Sequence, residues 1–428
     1  MRVNRLSSAL AVAATLLTQP LRAQSACSTL GQTGFVRDVM QSMYYWYREM
    51  PNVQAASFDS PEAYLEAVRY KPLDSTFSYI SDRAADDAFF SDSQFIGVGL
   101  STKLLGDQYR VAQVFPDSPA SEAGLERGAT FLEIAGRTIA DYLAKGDFGS
   151  AFGPTQIGVS VAVRFADVTG AEHTATLTKR LVTIPTVSST KIFEVDGKRV
   201  GYIHFRNFVT PSTEALNQAF AQLKAAGASE LVLDLRYNGG GLVSVAQHLG
   251  GLIGGARTAS QVFAVFFHND KNTNRNQTLR YEDKPAALDL TRLTVITTRA
   301  SASASELIIN AARPFLKVMI VGDTTYGKPV GQYSYSFCDK VVHPVAFQLR
   351  NAQDQGDFFN GFAPDCPAAD DIEHLLGDPA EASLGEALYV VKNGTCSAGA
   401  RSVASASALR ATRSSVREIG WRAILNAQ

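Results

Sequence analysis

The sequence predicts an α/β protein of several domains, on three observations. Apolar strands in the C-terminal half, such as Leu231–Leu235, are each followed by a helical run. A β-rich stretch with glycine turns precedes them, from about Phe95. A short helical region comes before that, and 428 residues are enough for two or three cores.

In chain order, Arg2 and Arg5 followed by the apolar run Leu6–Leu17 and Leu21-Arg22-Ala23 make residues 1–23 a secretory signal peptide, too short in its apolar part to span a membrane. Residues 27–92 form the helical region. Val36, Met40, Met43 and Tyr47 recur at helical spacing up to Pro51, and Ser60-Pro61 opens a second helix bearing Tyr64, Leu65 and Val68. Residues 93–184 form the β-rich domain, with strands expected at 109–113, 131–134, 159–165 and 173–178 and a short helix from Pro119 to Gly124. Residues 185–396 form the α/β core, with strands at 231–235, 293–297 and 318–321 and helices at 242–253 and 306–312. Tyr333–Phe337 alternates like one more strand, and the Ala/Ser/Arg-rich tail 397–428 reads as mostly disordered.

Forty basic and 41 acidic residues leave a net charge of −1, so no nucleic-acid partner is expected. No two of the four cysteines stand at Cys-x2–4-Cys spacing, so no metal site or cofactor is expected. An exported protein uses such cysteines in disulfides, and the pairing expected is Cys338 with Cys366 and Cys27 with Cys396. Membrane attachment would require a lipid on Cys27. The location expected is periplasmic or extracellular.

Three strings carry the chemistry: DLRYNGGG (234–241), SASASEL (301–307) and GDTTYGKPVGQ (322–332). The last has the Gly-x4-Gly-Lys spacing of a phosphate loop. Pro329 stands where Ser or Thr would hold magnesium, and strand-like alternation follows where a helix must begin, so a nucleotide site is excluded. A G-x-S-x-G elbow and H-E-x-x-H are both absent from the sequence. A serine nucleophile needs a base, and with six histidines outside any such pattern lysine is the better candidate.

The segment Ser118–Gly136, SPASEAGLERGATFLEIAG, resembles the PDZ domains of bacterial proteases. That resemblance implies that the Gly97-Val98-Gly99-Leu100 loop offers N–H groups to the terminal carboxylate of a peptide. The three strings together resemble the carboxyl-terminal processing peptidases, whose core is crotonase/ClpP-like. The resemblance implies Ser303 as nucleophile, Lys328 as base 25 residues on, and Gln332 as the group holding the lysine. Ala304 with Gly239 or Gly240 would supply the oxyanion donors. Position 314 is proline where the family often has Asp, and Pro329 follows the lysine in place of glycine. The function implied is a serine-type endopeptidase acting on exported proteins or peptides with accessible C-termini. The alternative is a non-catalytic peptide-binding protein of the same fold, which would have lost Ser303 or Lys328; both are present.

Overall fold

The computed structural model describes residues 26–400; the expected signal peptide and most of the basic tail lie outside them. The core is a six-stranded sheet in the order Val187–Val195, Lys198–Phe205, Glu230–Asp234, Arg292–Thr297, Lys317–Gly322 and Cys366–Pro367. The first two strands form an antiparallel hairpin, and every later neighbour is parallel. Leu231, Leu233 and Leu235 point to one face, where the helices Ser212–Ala225, Val243–Thr258 and Ala304–Ala312 cover them. Val232, with Tyr202 and Ile296, points to the other, covered by the helix Ala382–Asn393. Burial on both faces is why these strands read as unbroken apolar runs.

A second, antiparallel sheet joins Val262–His268, Val345–Arg350 and Val330–Gln332. The helical region packs beside it. Val36, Met40, Tyr44, Trp46 and Tyr64 share a core with Val330, Val342 and Val345. The strand Tyr79–Asp82 completes the attachment by pairing antiparallel with Lys340–His343. The β-rich domain has its own core around Leu100, Phe131, Phe152 and Phe165. Its chain enters and leaves through one antiparallel ribbon, Gln94–Gly97 against Arg180–Thr183.

Three expectations need correction. The first helix stops at Met43 because Tyr44 turns extended, and the next N–H, that of Tyr45, bonds Val345 C=O at 2.7 Å. Tyr333–Phe337 is not one strand. Val330–Gln332 and Tyr335–Phe337 belong to different sheets, and the Ser334 hydroxyl between them meets His343 Nδ1 at 3.1 Å. The disulfides are Cys27–Cys338 and Cys366–Cys396. The hairpin carrying Cys338 packs on the first helix, with the Phe35 and Phe337 rings stacked at 5.1 Å, whereas Cys366 lies on the sheet edge beside Cys396. With its sulfur bonded to Cys338, Cys27 has no thiol left for a lipid. Among the described residues no helix is long and apolar enough to cross a membrane.

Non-reducing peptide mapping should recover Cys27 joined to Cys338 and Cys366 joined to Cys396. Removing the first link with Cys338→Ser should lower unfolding stability by about 2–4 kcal/mol in urea titrations.

Candidate active site

The strand Arg292–Thr297 ends in a turn, and Ser303 stands where that turn becomes the helix Ala304–Ala312. Its backbone has φ 56° and ψ −112°, a region an L-residue enters only under constraint. Such strain at a strand-to-helix corner is the geometry of a nucleophile elbow, reached here without the G-x-S-x-G sequence. The neighbouring serines hold the corner in place. Ser301 Oγ donates to Leu235 C=O at 2.7 Å and Ser305 Oγ to Asn238 C=O at 2.9 Å. Both are fully buried, whereas Ser303 is partly exposed.

The 234–241 turn lies against this corner. Asn238 braces it, donating from Nδ2 to Phe205 C=O (2.8 Å) and accepting from the Gly240 N–H (2.9 Å) and the Ala302 N–H (3.0 Å). A Cβ on Gly240 would fall 2.7 Å from Ala302 O and 2.8 Å from Ala304 N, so only glycine permits the approach. Gly240's own N–H is committed to Asn238. Among the described residues neither the Gly239 N–H nor the Ala304 N–H, at the helix N-terminus, bonds a protein acceptor. Glycine at 240 is therefore a spacing requirement, and the donor expected of the pair falls to Gly239.

Lys328 is 3% exposed, and its Nζ donates to Gln332 Oε1 at 2.6 Å. The Gln332 amide cannot turn around, because its Nε2 donates to Phe77 C=O (2.6 Å) and His343 C=O (3.1 Å). Burial brings the Lys328 pKa down to about 7, and the nearby carboxylates of Asp74 and Glu306 pull against that shift.

One residue was read in the sequence only as a register mark for its serine. Glu306 is fully buried, and its carboxylate accepts four hydrogen bonds: from Ser303 N (2.9 Å), Lys328 N (2.8 Å), Gly327 N (2.7 Å) and Thr325 Oγ1 (2.6 Å). A single oxygen, Oε2, takes both the Ser303 and the Lys328 N–H, so the two loops are pinned side by side. Burial raises the Glu306 pKa while the four donors oppose the rise. The S-x-x-E spacing of a helix capping box was the available signal. Nothing in the sequence pointed to Phe77 or to the carbonyl of His343.

The structure thus gathers Ser303, Ala304, Gly239, Gly240, Lys328 and Gln332 at one place in the core. The Gly97–Leu100 loop is built instead into the β-rich domain. Its Val98 and Gly99 carbonyls accept from Ala120 N and Phe115 N, both at 2.8 Å, while the Val98 and Gly99 N–H groups have no partner among the described residues. Gly99 has φ +88°, and a Cβ there would lie 2.1 Å from Ser118 Cβ. The following strand, Leu100–Leu105, is an edge strand.

Comparison with known proteins matches residues 199–368 to Peptidase family S41 and residues 31–79 to the Peptidase S41 N-terminal domain. A carboxyl-terminal-processing protease of Synechocystis sp. is 29% identical over 245 residues, covering 57% of this chain and 55% of that protein. The chloroplastic carboxyl-terminal-processing peptidase 1 of Arabidopsis thaliana is 25% identical over 353 residues, covering 77% of this chain and 68% of that one. The chain spans little more than half the length of several curated relatives it matches. A Bacteroides fragilis crystal structure assigned to the S41 proteases superposes with a TM-score of 0.68 at 25% identity, over 84% of this chain and 97% of that one. The fold of a photosystem II D1 C-terminal processing protease superposes with a TM-score of 0.52 at 21% identity, over 83% and 99%.

Glu306→Gln places amide hydrogens against donors in a sealed site. It should lower stability by about 2–4 kcal/mol, read from urea unfolding, where a surface Glu→Gln change would move it by less than about 0.5 kcal/mol.

Proposed function

This chain belongs to peptidase family S41, and from that premise we propose that it is a serine-type endopeptidase cleaving exported proteins at or near their C-terminal ends. The observation that carries this reading is the buried amine of Lys328, oriented by Gln332, on a loop that Glu306 pins to the Ser303 corner through the backbone N–H groups of both residues. An exposed lysine titrates near 10.4 and would be a cation at neutral pH. With its pKa near 7, a large share of Lys328 is neutral there and has a lone pair for a proton.

In the proposed mechanism Ser303 Oγ attacks the scissile carbonyl carbon while Lys328 Nζ takes the hydroxyl proton. The oxyanion is met by the N–H groups of Gly239 and Ala304. Collapse breaks the C–N bond, the leaving amine takes the proton from Lys328, and an acyl-enzyme on Ser303 remains. Water then attacks the ester as Lys328 takes its proton, and the returning proton frees Ser303.

The β-rich domain, residues 93–184, acts in this reading as a PDZ module inserted between the helical region (27–92) and a crotonase/ClpP-like core (185–396). A peptide's terminal carboxylate meets the unpaired N–H groups of Val98 and Gly99, and its chain adds along the Leu100–Leu105 edge. Two disulfides suit an oxidising compartment outside the cytoplasm.

Ser303→Ala should abolish casein cleavage with the unfolding curve unchanged, and Lys328→Arg should be nearly as damaging because guanidinium keeps its proton. Undiminished cleavage by the Ser303→Ala protein would refute the reading. Since Lys328 must be neutral, kcat/KM should rise with pH through about 7 and level off above it. On the Ser303→Ala protein, a peptide with a free C-terminal carboxylate should bind at least about tenfold tighter than its C-terminal amide, measured by calorimetry.

A further inference from the structure

The amide of Gln332 is fixed by a carbonyl from outside the core, that of Phe77 in the helical N-terminal region. That carbonyl belongs to a tight turn organised by one buried side chain. Asp74 is fully buried, and its Oδ1 accepts from the N–H groups of Phe77 and Ser78, both at 2.9 Å. Its Oδ2 accepts from Tyr44 Oη at 2.8 Å and Ser78 Oγ at 2.6 Å. The Ser78 hydroxyl in turn accepts from Val345 N at 2.9 Å, locking the turn to the second sheet. The Phe77 ring of the same turn lies beneath the lysine, its centroid 5.9 Å from Lys328 Nζ.

We propose that Asp74 is a positioning residue for the Lys328–Gln332 pair: it builds the turn whose carbonyl orients Gln332 and sets a fixed negative charge behind the amine. The inference rests on the peptidase reading above. Two carboxylates act electrostatically on Lys328, those of Asp74 and Glu306, and both favour its protonated form. Glu306 reaches the site from the nucleophile helix and Asp74 from the N-terminal region; Gln332, on the strand beside them, is neutral. On its far side Asp74 faces the hydroxyl of Tyr44 and the charge of Arg69, whose Nη1 donates to Ser78 C=O at 3.3 Å. Burial of this lysine alone would depress its basicity further. The Asp74 carboxylate, committed to the N–H groups and hydroxyls of its own turn, tempers that depression by its charge. The N-terminal region then contributes to the chemistry as well as to the packing of the core.

Two variants test this, with kcat/KM on a casein-derived fluorogenic peptide measured from about pH 5 to about pH 9. Asp74→Asn keeps an oxygen for the two backbone N–H groups and removes the charge. Its acid limb should move to lower pH by about half a unit, which is about threefold higher kcat/KM relative to its own plateau at pH values below the limb. A merely structural role would lower the plateau and the unfolding midpoint with the limb in place, and an unmoved limb in a folded Asp74→Asn protein overturns the proposal. Ser78→Ala removes one hydroxyl from Oδ2 but leaves the charge, so its limb should stay or rise. A downward shift there overturns the proposal even if the Asn variant does not fold. An active Ser303→Ala protein would refute the peptidase reading itself, whereas an unmoved limb beside an inactive Ser303→Ala protein refutes this inference alone.

Discussion

The carboxylate of Glu306 is the buried hub between two loops, which also meet where Tyr326 N–H donates to Ser301 C=O and Arg299 Nη1 to Thr325 C=O, both at 2.9 Å. One loop delivers Ser303 at the start of its helix, and the other delivers Lys328 after the glycine of Tyr326-Gly327-Lys328. Four donors converge on this one group in a sealed interior, where each lost hydrogen bond costs about 1–3 kcal/mol. The arrangement acts on backbone N–H groups, so it sets the positions of Ser303 and Lys328 without taking up the serine hydroxyl or the lysine amine. It also explains why Ser301 and Ser305 are serines without a chemical part: their hydroxyls hold the same corner against the 235–238 turn.

Around that brace the site depends on keeping one amine dry. Holding Lys328 near pKa 7 disfavours its ammonium by on the order of 5 kcal/mol relative to water, more than any single hydrogen bond could supply. The fold meets this demand by enclosing the lysine between the helix that Ser303 opens, the second sheet and the turn at Phe77. Three regions of the chain, distant in sequence, therefore share one small volume. Gln332, on the second sheet, ties Lys328 to the Phe77 turn and to His343 through its one amide, while Glu306 ties the lysine loop to the helix.

The legible part of this protein was the part written in local pattern. The buried strands at 230–234, 292–297 and 317–322 announced themselves by apolar runs, and Ser60-Pro61 announced a helix by its cap and first-turn proline. Ser303, Lys328 and Gln332 stood out because their strings resemble, in order and spacing, those of the carboxyl-terminal processing peptidases. What stayed hidden depends on distant partners. Cys27 meets Cys338 across 311 residues because one hairpin packs on the first helix, and no spacing rule encodes that. The split of Tyr333–Phe337 between two sheets follows from tertiary contacts overriding a strand-like alternation. The commitment of the Gly240 N–H to Asn238 and the strained backbone of Ser303 are likewise properties of the folded turn.

The proposed catalysis depends on Lys328 being a neutral amine near pH 7. Selective 13C labelling of lysine side chains, with the Lys328 signal assigned by its loss in Lys328→Arg, would follow its ionisation directly by NMR. The predicted titration midpoint lies near 7, well below every exposed lysine. A midpoint near 10.4 would mean that the amine is a cation at working pH, and the proposed base would have no lone pair to offer.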